Sequence, residues 1–198
     1  DTPGAMIGSD ETGGYSDRLL DTVVKLLNRF RGRRPINGVV LVLSLEDLIS
    51  KSDHERAIDT NTIRHKLLEL IDRLGTRFPI YVVFSKADMV AGFVEFFDDL
   101  SRDDCEQIWG ITFPLPNTRK GSANREAWRE AFQREFGRLT QRLNARLLRR
   151  MHQERDPSRR ALIYGFPQRF GGLAPTLETT LSQIFGVDRY TTPPLLRG

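Results

Sequence analysis

The segment Pro79-Ile-Tyr-Val-Val-Phe-Ser-Lys-Ala-Asp88 constrains this chain more than any other. Ile80 to Phe84 is an apolar run rich in β-branched and aromatic residues. It is too short for a core helix and reads as a strand covered on both faces. At its carboxyl end the run gives way to Ser85, Lys86 and Asp88. In open α/β sheets that edge is where ligands bind.

A second strand of the same kind is predicted over Gly38-Val-Val-Leu-Val-Leu-Ser-Leu45, followed by a short helical turn over Glu46–Ser50. Residues 5–16, rich in Gly and Ser, read as a loop. Ser16 or Asp17 can cap a helix running to about Arg31, with Leu19, Leu20, Val23, Val24, Leu27 and Phe30 at helical spacing. Another helix is expected from about Asp59 to Leu74, with Gly75 just past its end. Phe93, Phe96 and Phe97 belong to a short helix, and Ser101 to Asp104 resembles a capping box opening one that reaches Trp109. The longest helix is expected over Asn124–Gln153. Trp128, Phe132, Phe136, Leu139, Leu143 and Leu147 form its apolar stripe. Arg160-Ala-Leu-Ile-Tyr164 reads as a third strand, and a last helix runs from about Pro175 to Phe185. This alternation implies an α/β fold with the Gly38, Pro79 and Arg160 strands parallel and adjacent.

The 198 residues suffice for one domain with a proper core. No apolar run is long enough to cross a bilayer, and no signal peptide is predicted. A single cysteine, Cys105, excludes an intrachain disulfide and suggests a reducing compartment. His54, His65 and His152 are scattered and offer no zinc-ligand spacing. Net charge is +4 but uneven: residues 117–160 hold 13 Lys+Arg against 5 Asp+Glu, a balance of +8, leaving −4 elsewhere. The arginines of the long helix either solvate its outer face or form a docking surface. Arg142, Arg146, Arg149 and Arg150 are the candidates for partner binding. Nucleic acid is the weakest partner, because Trp128, Phe132 and Phe136 lie on the apolar stripe and are not interleaved with the basic residues.

Ser85-Lys86-Ala87-Asp88 resembles the base-recognition motif [Asn/Thr]-Lys-x-Asp of P-loop GTPases, with Ser85 as a departure. Asp1-Thr-Pro-Gly4 resembles their Asp-x-x-Gly motif. The resemblance implies that Asp88 accepts hydrogen bonds from a base, that the Lys86 stem packs along it, and that Asp1 serves Mg²⁺ and Gly4 a γ-phosphate where a phosphate loop is present. No Gly-x-x-x-x-Gly-Lys-[Ser/Thr] occurs in these residues, so Ser85, Lys86, Asp88, Asp1 and Gly4 would be a vestigial nucleotide site.

Longer stretches are more specific. Arg33 to Leu48, Leu74 to Phe97, Gln107-Ile-Trp-Gly-Ile-Thr-Phe113, Leu162-Ile-Tyr-Gly-Phe-Pro-Gln168 and the closing Pro-Leu-Leu-Arg-Gly198 together resemble the cytoplasmic domain of the IcmF/TssM proteins. These are inner-membrane subunits of bacterial type VI secretion systems. The resemblance implies a P-loop GTPase-like parallel sheet lacking its phosphate-loop portion. Residues 1–116 would form the truncated α/β core, 117–160 a long basic helical extension, and 161–198 the final core strand and C-terminal helix. It further implies a structural and docking role on the cytoplasmic side of the bacterial inner membrane, with membrane-complex and baseplate proteins as partners and transmembrane helices outside this chain. No cofactor is expected in this segment, which is read as inactive. GTP or ATP with Mg²⁺, and NTPase activity, belong to a full-length protein that carries the phosphate loop.

Overall fold

The structure, a computed structural model, describes residues 13–31, 36–113, 127–186 and 194–198. Its elements are α1 (Gly13–Phe30), β1 (Val39–Ser44), α2 (Leu45–Ser50), α3 (Asp53–Leu74), β2 (Pro79–Ser85), a 3-10 turn (Ala87–Met89), α4 (Phe93–Phe97), α5 (Arg102–Cys105), α6 (Ala127–Gln153), α7 (Pro157–Gly172), α8 (Ala174–Phe185) and β3 (Leu195–Leu196). The strands form a small parallel sheet in the order β1-β2-β3, so this is an α/β protein. β2 and β3 are in register with Pro79 opposite Leu195 and Ile80 opposite Leu196.

The third strand is therefore not where the sequence placed it. Arg160 to Tyr164 lies inside α7. Asp156 caps that helix by accepting a hydrogen bond from the Ser158 N–H, and Pro157 sits in its first turn, where a missing N–H costs nothing. The apolar run around Leu162 was too short to distinguish strand from helix. Leu195–Leu196 supplies the strand instead.

The expectation that the Pro79 strand is covered on both faces also needs correction. Ile80 is 0% exposed, but Tyr81 and Val83 are open to solvent, as are Val40 and Val42 of β1. Apolar residues on both sides of a strand state what each side prefers, not what covers it.

Two compact units are present. The first comprises α1, α3, β3, the leading parts of β1 and β2, and the trailing part of α8. Its interior includes Leu67, Leu74, Phe78, Ile80, Leu181 and Ile184. Helix α3 starts at Asp53, earlier than the sequence suggested, because Ser52 forms a full capping box with Glu55. It ends at Gly75, in the left-handed region at φ 61°, as expected. Arg64 of α3 donates to the carbonyls of Gln183, Ile184 and Gly186 at 3.3, 3.2 and 2.7 Å. The cation thus satisfies the orphan acceptors at the end of α8. The Thr60 hydroxyl, buried, donates to the side-chain oxygen of Gln183 at 2.8 Å. On α1, Val24 is buried and Leu27 half-buried, whereas Val23 and Phe30 are exposed.

The second unit comprises the ends of β1 and β2, α2, α4 to α7 and the start of α8. Its core is aromatic. Phe96 and Phe166 are fully buried with ring centroids 5.0 Å apart, Phe136 stacks on Phe170 at 4.9 Å, and Trp109 packs on Phe97 and Phe170 at 5.5 and 4.9 Å. From Ala127 to Gln153 α6 is one unbroken helix, burying Phe132, Phe136, Leu139 and Leu143. The capping box at Ser101 and Asp104 is present, but its helix stops at Cys105. Gly92, at φ 93°, caps α4 and lies against α7, where a methyl group would overlap the Leu162 carbonyl.

Candidate functional site

The carboxyl ends of β1 and β2, both in the second unit, carry the polar residues that the sequence singled out. Ser85 closes β2, and its hydroxyl donates to the Leu43 carbonyl of β1 at 3.4 Å. Lys86 follows in the left-handed region (φ 57°), the sole non-glycine there among the described residues. A branch-free side chain tolerates this better than the preceding valines would. The reversal starts the 3-10 turn that carries Asp88, with the Val90 N–H donating to the Ala87 carbonyl at 3.0 Å.

Opposite, β1 passes directly into α2. The Ser44 hydroxyl accepts from the Asp47 N–H at 3.2 Å, in the manner of an N-cap. Glu46 in the first turn of α2 accepts from the Lys86 ammonium at 2.5 Å. That hydrogen bond, reinforced by the charges of Glu46, Asp47 and Asp88, holds the Lys86 pKa above the usual lysine value. The ammonium thus stays charged at neutral pH.

Three carboxylates, Glu46, Asp47 and Asp88, therefore act on a single ammonium. Such a field disfavours phosphates. Asp88, exposed, is suited to accept from the ring N–H groups of a base. Among the described residues of this edge, Asp88 offers an exposed acceptor, and the three carboxylates around Lys86 do not suit a phosphate. Asp1 and Gly4 lie outside the described residues. Among the described residues no cluster of His, Cys, Asp and Glu could hold a metal ion. Cys105 is an exposed free thiol.

The four arginines proposed from the sequence divide into two pairs. Arg142 and Arg149 are exposed. Arg150 is not on that face: its side chain is 4% exposed. It donates to the carbonyls of Phe96 and Glu95 at 3.0 and 2.7 Å, to Asp98 at 2.5 Å and to Gln153 at 3.1 Å. Arg146 is half-buried, paired with Asp99, with its guanidinium over the Phe96 and Phe97 rings. Asp98 also receives Arg159, and Arg159 pairs with Glu154 at 2.9 Å. Hydrogen bonds from the Asp156 N–H and then Arg159 hold the Glu154 carboxyl below its usual range. Arg146 and Arg150 thus fasten α6 to the end of α4. The outward-facing positions are Arg142 and Arg149.

Sequence reasoning missed Glu46, Asp98 and Asp99, the partners of Lys86, Arg150 and Arg146. Glu46 had one visible signal, an acidic residue just after a strand end. Asp98 and Asp99 had only their adjacency to the Phe-rich segment.

Residues 15–198 match the model of the IcmF-related N-terminal domain. The chain belongs to that family. It is 47% identical over 173 residues to the type VI secretion system component TssM1 of Pseudomonas aeruginosa strain PAO1, a match covering 87% of this chain and 15% of that protein. The chain thus spans about a seventh of that relative's length. No solved structure matches it at a significant level. Among the described residues no helix is long and apolar enough to cross a membrane.

Proposed function

We propose that this domain is a structural and docking module of a type VI secretion membrane complex. On this reading it stands on the cytoplasmic side of the bacterial inner membrane and engages other membrane-complex and baseplate proteins. Other segments of the protein supply the transmembrane helices. The observation that carries this is the 47% identity to TssM1 over most of the chain. The outer face of α6 supports it with exposed cations that a partner's carboxylates would match. Docking needs no bond to be made or broken. Complementary charge speeds encounter, rejects wrong partners and weakens as salt rises. Arg142 and Arg149 would meet the partner, and Arg146 and Arg150 would place the face that carries them. Nucleic acid is not a partner on this reading.

The test is removal of this domain from the protein in a secreting bacterium. The shortened protein should still reach the membrane, but baseplate proteins should no longer co-purify with it and secretion should cease. Normal co-purification and secretion would overturn the reading.

The Ser85-Lys86-Ala87-Asp88 turn at the carboxyl end of β2 favours a second reading, a GTP or ATP switch or an NTPase in the full-length protein. Asp88 would take the base, Asp1 the Mg²⁺ and Gly4 the γ-phosphate. Calorimetry of the full-length protein with each nucleotide and Mg²⁺ decides it. For the 198 residues alone, millimolar GTP or ATP should leave Tm unchanged, since a ligand stabilises only what it binds. A shift of several degrees would show that Lys86 and Asp88 suffice.

A further inference from the structure

The docking reading leaves open what chemistry the α6 face recognises. From Phe136 to Gln153 α6 contains no acidic residue. Most of its arginines are nonetheless neutralised. Arg129 pairs with Glu178 at 2.9 Å, Arg134 and Arg138 share Glu135 at 3.1 and 2.9 Å, and Arg146 and Arg150 are tied to Asp99 and Asp98. Arg142 and Arg149 are exposed and have no partner among the described residues. They are seven residues apart. At 1.5 Å rise and 100° per residue, they stand about 10 Å apart along the axis and within about 20° around it. Leu148, 71% exposed, stands about 100° around the helix from Arg149, at the edge of the same exposed side. Ala145 and Gln141, exposed on the same side, are small or slim and permit close approach.

We propose that Arg142 and Arg149 receive an acidic helix of a partner protein, one that presents two carboxylates seven residues apart and, on the flank turned toward Leu148, an apolar residue that packs on it. This rests on the docking reading. A helix lying along α6 repeats the same spacing of about 10 Å between positions i and i+7, so both guanidinium forks can be filled at once by carboxylates. A lipid surface fits less well. The apolar stripe of α6, which includes Phe132, Phe136, Leu139 and Leu143, is buried, which leaves Leu148 as the large exposed apolar residue of this helix among those described. An amphipathic helix that lies in a membrane needs a broad apolar face.

The test places a photo-crosslinking amino acid at Leu148 of the full-length protein in a secreting bacterium. Adducts should map to a helical segment of another protein with Asp or Glu at positions i and i+7. Arg142→Glu with Arg149→Glu should lower the adduct yield by at least about tenfold and abolish secretion, with the protein still accumulating in the membrane. Reversing the two partner carboxylates to Arg should restore both. Adducts only with lipid, with nucleic acid or with a segment lacking that spacing would overturn the proposal. So would full secretion by the double variant or failure of the reversal to rescue. The domain-deletion test separates the two ideas. If deletion stops secretion but the double variant does not, the domain docks through another face. If deletion itself is harmless, the docking reading has failed first.

Discussion

Replacing Arg150 by methionine keeps much of the side-chain volume and removes every polar contact. Two backbone acceptors, the carbonyls of Glu95 and Phe96, lose their donors, and Asp98 loses a cation at 2.5 Å. Removing one member of a buried pair costs about 3–5 kcal/mol. Asp98 and Asp99 are partly exposed and can be rehydrated, which places the loss at the low end, about 3 kcal/mol. At roughly 2–4 °C per kcal/mol for a chain of this size, Tm should fall by about 6–12 °C. Both tryptophans, Trp109 and Trp128, lie in the second unit, so their fluorescence during thermal unfolding reports on the unit that Arg150 holds together. The control is the neighbouring residue. Arg149→Met removes an exposed cation and should cost within about 0.5 kcal/mol. Equal effects from the two substitutions would refute the reasoning, because the expected difference rests on the burial and bonding of Arg150.

Gly92→Ala should destabilise the second unit by at least about 2 kcal/mol, from the positive φ and from overlap with the Leu162 carbonyl. Gly75→Ala, also at positive φ but with open space around it, should cost about 1–2 kcal/mol, and urea titrations followed by fluorescence and circular dichroism would rank the two. Ser52→Ala should cost about 1 kcal/mol at neutral pH by removing the cap of α3. The Ser52 hydroxyl, then its N–H, depresses the Glu55 pKa below its ordinary 4.5, so the part of the cap made by the Glu55 carboxylate is present above that value and lost as pH falls through the folded-state value, while the bond from the Glu55 N–H to the Ser52 hydroxyl remains. The difference between wild type and Ser52→Ala should therefore shrink on acidification below about pH 4.5, and a difference that grows instead would show that the linkage has the wrong sign.

The two long strands and the long helix were legible because their signals are long: apolar runs of five residues rich in β-branched side chains, and an apolar stripe of about five turns. α7 was not. Its Leu162-Ile163 pair satisfies either period, and the decisive marks lay outside the run, in Asp156-Pro157 before it and Gly171-Gly172 at its end. The burial of Arg150 was legible in principle. Phe132, Leu139, Leu143 and Arg150 are separated by seven, four and seven residues, which puts Arg150 on the apolar stripe. Counting it with Arg149 treated adjacency in sequence as adjacency on the surface. The Lys86–Glu46 pair joins residues 40 apart, and no spacing rule reaches across two strands to find it.

The Arg64 contacts have a consequence for synthesis on the ribosome. Arg64 meets carbonyls 119 to 122 residues later, and Ile80, fully buried, borders β3, formed by Leu195 and Leu196. At about 5–20 residues per second, α3 and β2 wait on the order of ten seconds for the segments that complete them. The second unit draws on nothing beyond Glu178 except Gly198. Of the two units, the one that holds α1 and α3 is thus the last to close. During that interval the Pro79 strand is exposed to any chaperone, or any neighbouring nascent chain, able to pair with its edge.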